Sequence, residues 1–92
     1  MISELKQQMK RHLADPFPQS IVKGEAYGEV DAVMIDADIY GWATRAGGLS
    51  GLDRTRLAEA RDQLARSLGA LPADAQPYYE RLLKIANLAL AV

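Results

Sequence analysis

Apolar side chains in the N-terminal segment fall at Ile2, Leu5, Met9 and Leu13, with polar residues between them. That spacing places all four on one stripe of a helix running from Ile2 to about Ala14. Ser3 is placed to cap this helix. Asp15-Pro16 ends it, because the residue before a proline avoids the helical region. On this stripe His12 reads as a half-exposed residue at the helix end.

The next segment, DPFPQSIVKGEAYGE, mixes two prolines, two glycines and scattered apolar residues. It predicts an irregular connection, with Phe17, Ile21, Val22 and Tyr27 as anchors to the core. A short strand around Ser20 to Val22 remains an alternative. So long a connection in so small a chain is the kind that often carries function.

From about Glu29 to Ala46 the pattern predicts a second helix. Val30, Val33, Met34, Ala37, Gly41 and Thr44 share one face, and Ile35, Ile39 and Ala43 form a second apolar sector opposite. A helix apolar on two sides is one enclosed by neighbours, so this helix is expected at the centre of the fold. Strand alternation fits less well, although the β-branched content leaves a hairpin as the competing reading.

The run RAGGLSGLD is a break. Gly47 or Gly48 is expected to end the second helix in the left-handed region. Ser50 and Asp53 have capping-box spacing for a third helix. That helix lines up Leu57, Leu64, Leu68 and Leu71 with Ala60 and Ala65, and pairs Asp62 with Arg66 one turn on. Gly69 and Pro72 stop it.

The last helix is expected to be capped by Asp74, with Pro77 in its first turn. Tyr78, Leu82, Ile85, Ala89 and Val92 recur on one face, flanked by Tyr79, Leu83, Ala86 and Leu90. So wide a face predicts either a deep position or a self-association surface. The short link before it makes the last two helices an antiparallel pair. The expected fold is therefore all-α, a four-helix bundle in one domain over residues 1–92, with a long Pro/Gly-containing connection between its first two helices.

Composition narrows the function classes. The chain has no cysteine, which excludes disulfides and thiolate metal sites. A net charge of −1 argues against a general nucleic-acid binder. The first residues carry charges and no apolar signal core, and no apolar run is long enough to span a bilayer. A cytoplasmic protein with no membrane and no nucleic-acid partner is expected. The alanine- and arginine-rich composition is similar to that of small bacterial proteins in general.

Charge is unevenly spread. Residues 24–44 hold five acids and no lysine or arginine, whereas residues 45–66 hold five arginines. Asp31 and Asp38 lie about 20° apart on the second helix, but about 10.5 Å apart along it. Asp36 points well away from both. Structurally, Asp31 belongs in the first turn, Asp38 pairs with an arginine of the next helix, and Asp36 is solvated. Functionally, Lys23, Tyr27, Asp31, Asp36, Asp38, Tyr40 and Trp42 are the candidate binding residues, with acid and aromatic faces suited to a cationic or basic partner.

No catalytic residue and no cofactor emerge. The one histidine has no glutamate three residues before it, so no Glu-x-x-His metal motif is present. A phosphate-binding glycine fingerprint is absent as well. The expected function is a non-enzymatic protein-interaction or accessory module, an immunity or antitoxin protein being one concrete form. Its partner is another protein, or a second copy through the C-terminal helix. The alternative is a small-molecule or metal site formed by Asp31, Asp38, Trp42 and Lys23.

Overall fold

A computed structural model describes residues 3–92; Ile2 of the predicted first stripe lies outside the described residues. The described chain is mostly helical, with four helices and a two-stranded hairpin. α1 spans Glu4–Ala14, β1 Ala26–Tyr27, β2 Val30–Asp31, α2 Ala32–Ala43, α3 Gly51–Ser67 and α4 Gln76–Leu90. Single 3₁₀ turns follow α2 and α3, at Ala46–Gly48 and Leu68–Ala70.

The caps follow largely from the sequence. Ser3 Oγ accepts from Lys6 N at 3.2 Å, and Ser50 Oγ from Asp53 N at 3.1 Å. Asp31 caps α2, its Oδ1 accepting from Val33 N and Met34 N, both at 3.0 Å. Other expectations change. Neither Gly47 nor Gly48 takes a positive φ; α2 ends at Ala43 and the chain turns through the 3₁₀ segment instead. The N-cap of α4 is Ala75, without a side-chain bond, rather than Asp74. Arg66 leaves Asp62 for Glu29, and Asp62 bonds Arg61.

The helix at the centre is α4, not α2. It packs against α1, α2 and α3, and Tyr79, Leu82, Ile85, Ala86 and Ala89 are all buried. Its broad apolar face is thus covered within the chain. Three neighbours require that width, which one partner helix would not. Arg54 at the start of α3 donates to Leu90 O at 2.6 Å, and Arg61 reaches Asn87. The start of α3 therefore lies beside the end of α4, so the two run antiparallel. A cation there also meets the free carbonyls of the α4 terminus.

α2 buries one sector only: Ala32, Ile35, Ile39 and Ala43. The opposite sector stays open, with Met34, Ala37 and Gly41 exposed. In α1, Leu5 and Met9 pack on the core as expected, but Leu13 is 70% exposed and His12 is buried in its stead.

The connection holds a strand pair, but not around Ser20. Tyr27 pairs with Val30 across Gly28 and Glu29. Gly28, at φ 60°, supplies the left-handed first residue of a type II′ hairpin. Ile21 is buried and Tyr27 half-buried, whereas Phe17 and Val22 are exposed rather than anchored in the core. The Tyr27 hydroxyl accepts from Val22 N at 2.9 Å and closes the loop around Gly24. Three hydrogen bonds fasten the hairpin to the end of α3. Glu29 N donates to Ser67 Oγ at 2.9 Å, and Arg66 forks onto the Glu29 carboxylate at 2.6 and 2.9 Å.

Gly24 and Gly28 both have positive φ, but they differ in space. A Cβ at Gly28 would stand 2.8 Å from Ser67 Oγ, while one at Gly24 meets nothing within 4 Å. Gly24→Ala is expected to cost about 1 kcal/mol for the backbone alone. Gly28→Ala is expected to cost about 2–4 kcal/mol, because Ser67 must also move. Urea unfolding of the two variants measures the difference, and equal losses would mean that Ser67 does not constrain the turn.

The Arg66 guanidinium holds the Glu29 carboxyl below its ordinary value of 4.5. A lowered folded-state value stabilises the fold above that pH and is lost as acid protonates the group. Arg66→Gln is therefore expected to flatten the fall of stability below about pH 4.5, read from denaturant midpoints across the acid range.

Candidate functional site

Two depressions flank α2. The larger is an open groove of about 750 Å³ between the end of α1, the loop after it and α2. Leu13, Phe17 and Ile21 form one side, Val33, Ala37 and Gly41 the other, with His12, Tyr40 and Tyr78 among its aromatic lining. The smaller, about 260 Å³, lies between α2 and α3 and is lined by Glu29, Asp31, Asp38, Trp42, Arg56 and Glu59 among others.

In the larger groove one carboxylate joins three helices. His12 of α1 lies with Nε2 2.6 Å from Asp36 Oδ1 of α2, and the Tyr78 hydroxyl of α4 donates to Asp36 Oδ2 at 2.7 Å. A carboxylate only accepts, which places a proton on His12 Nε2. Burial, and then the Asp36 carboxylate itself, push the Tyr78 phenol far above its ordinary range, so it remains a donor. The His12 ring packs against Tyr78 at 4.3 Å between centroids and stacks on Tyr40 at 5.9 Å. Phe17 meets Tyr78 edge-on at 5.5 Å.

His12 Nδ1 is buried without a hydrogen-bond partner among the described residues. A general base must reach the proton it removes, and this nitrogen is closed off from the groove. The pairing thus acts as a clamp between α1, α2 and α4. Deeper in the core, the Tyr79 hydroxyl donates to Ala32 O at 2.7 Å and ties α4 to the first turn of α2. Burial raises this phenol too, which keeps it in its donor form.

The candidate residues from the sequence do not form one site. Lys23, Asp36 and Tyr40 line the larger groove, while Asp31, Asp38 and Trp42 line the smaller cleft on the other side of α2. Tyr27 serves the loop through its hydroxyl. The pocket expected to combine Asp38 and Trp42 with Tyr40 and Lys23 is therefore divided by the helix. Tyr40 and Trp42 are two positions, about 200°, apart around its axis.

The three aspartates have three different roles. Asp31 is the N-cap, just ahead of the helix, rather than an acid of its first turn. Asp36 is not simply solvated but bonded to His12 and Tyr78. Asp38 is exposed, and the expected arginine partner is missing: among the described residues it forms no ion pair. No group of three or more histidine or acidic residues among the described residues is arranged to hold a metal ion.

Sequence reasoning missed His12, Tyr78 and the groove positions Leu13 and Phe17. The available signal lay in α1, where Leu5, Gln8, Met9 and His12 make a helical face as regular as the one through Leu13.

No family model, curated protein or solved structure matches this chain.

Removing the shared acceptor tests the clamp. Asp36→Ala leaves the His12 and Tyr78 donors without a partner and is expected to destabilise the fold by about 2–3 kcal/mol. In a His12→Phe background, which keeps the ring packing, the same substitution is expected to cost at least about 1 kcal/mol less. Urea denaturation of the four proteins in the cycle gives the coupling, and a coupling near zero would remove the clamp.

Proposed function

We propose that the protein is a non-enzymatic interaction module, and that its binding surface is the open face of α2 with the groove beside it. The observation that supports this reading is a convergence of apolar positions. Leu13, Val33, Ala37 and Gly41 fall where helical periodicity predicts burial, yet they line one open groove together with Phe17. Monomeric proteins rarely leave apolar surface gathered in this way, and such surfaces mark contacts with other molecules. In this reading the four helices form a bundle closed around α4, open on the side where α1 and α2 diverge.

This moves the expected interface from the C-terminal helix to α2. The buried face of α4 supplies no surplus, whereas Met34, Leu13, Phe17 and Val22 stand exposed around α2 and the adjoining loop. Lys23 at the groove lies outside every ion pair among the described residues. A partner segment with apolar side chains along one face and an acid at its edge complements this surface.

A selection of random displayed peptides on the immobilised protein tests the reading. Amphipathic peptides with apolar anchors are expected to be enriched, and their affinity is expected to fall at least about tenfold on Ala37→Arg or Leu13→Asp. Both substitutions lie on the exposed surface, and thermal melts by circular dichroism check that the fold is kept. If no peptide is enriched, or if enriched peptides bind the variants equally well, the groove is not the binding surface.

A further inference from the structure

The crest of α2 between the two depressions carries Met34, Ala37 and Gly41, and Arg45 follows two residues past the end of the helix. Met34 is 57% exposed, and a Cβ built on Gly41 meets nothing within 4 Å among the described residues. Two charges flank the apolar centre. Asp38, three residues before Gly41, forms no ion pair among the described residues. Arg45, four residues after it, reaches Asp53 only at 3.7 Å, with its side chain 60% exposed.

We propose that the occupant of this surface is a second copy of the chain, the two α2 helices packed antiparallel and crossing at Gly41. The proposal rests on the reading of the α2 face as an interface and names its partner. In a two-fold dimer the same patch meets itself, so every contact occurs twice. An axis through Gly41 sets the acid on one side of the crossing against the arginine just past the end of the other helix. Asp38 of each copy then lies alongside Thr44 and Arg45 of the other. Opposite charges three residues before and four residues after a glycine are self-complementary in this register, whereas a parallel crossing would put like charges together. The antiparallel arrangement also sets the positive end of one helix dipole beside the negative end of the other. With no side chain at Gly41, the two backbones approach closely and Met34 and Ala37 fill the flanks.

Sedimentation equilibrium of the full chain at low salt tests this. A reversible dimer is expected, with Asp38→Arg and Arg45→Asp each weakening it at least about tenfold, and the two reversals together restoring it. Gly41→Gln is expected to abolish the dimer with no loss of helicity, because its side chain enters space that is open in the single chain. A monomer at all concentrations up to about 100 µM, or a dimer indifferent to these substitutions, overturns the proposal. A monomeric chain that still selects groove peptides overturns the second copy alone, while a chain that neither dimerises nor selects peptides overturns the interface reading as well.

Discussion

Asp36 holds an arrangement that no pair of helices makes alone, since its two oxygens accept from His12 on α1 and Tyr78 on α4. Burying an imidazole without partners is costly, and the carboxylate is what lets His12 turn inward. The consequence reaches the whole of α1. A face centred on Leu5, Gln8, Met9 and His12 is rolled by roughly 50° from one centred on Ile2, Leu5, Met9 and Leu13. Leu5 and Met9 stay against the core under either roll, so little apolar burial is forfeited there. Leu13, however, is carried out to the rim of the groove. The groove thus follows from the clamp: the interaction that closes three helices around one another also turns an apolar side chain outward.

The hydrophobic pattern made the helices legible and their neighbours less so. All four helices, the caps at Ser3 and Ser50, and the anchoring role of Ile21 follow from local spacing and cap chemistry. Which helix takes the centre does not, because periodicity describes the faces of an element and not what covers them. α2 and α4 both looked broad enough to be enclosed. Only α4 is, for it is met by all three others, and once α4 claims the Ile35 and Ile39 side of α2 no element remains for the side of Ala37 and Gly41. The hairpin was hidden for a different reason. Two-residue strands have too few positions to alternate, and this pair is secured by non-local bonds from Arg66 and Ser67.

The site shows the same division between local and non-local information. The placement of Asp31 near the start of α2 is local, because an acid ahead of an apolar helical run is visible in the sequence, although it proves to be the cap and not a first-turn residue. The role of Asp36 depends on residues twenty-four positions before it and forty-two after it, and no spacing rule connects them. The aromatic pair Tyr40 and Trp42 misled because adjacency in the sequence is opposition around a helix. Two positions apart, they face separate depressions.

Gly41 is the residue for which the single chain offers least reason. A glycine inside a helix costs about 1 kcal/mol relative to alanine. The usual compensations are a left-handed conformation or the close approach of another element. Gly41 has neither: its φ is not positive, and among the described residues no other part of the chain comes within reach of a Cβ there. Gly28 shows what such a compensation looks like, with Ser67 packed against the bare Cα and a turn that needs its φ. At Gly41 the empty space points outward, at the middle of the apolar face that α4 leaves uncovered, between Asp38, which has no ion pair among the described residues, and Arg45, which meets Asp53 only at 3.7 Å. The features that do not contribute to the isolated fold therefore lie together on one surface of α2, where an approaching backbone would make use of each of them.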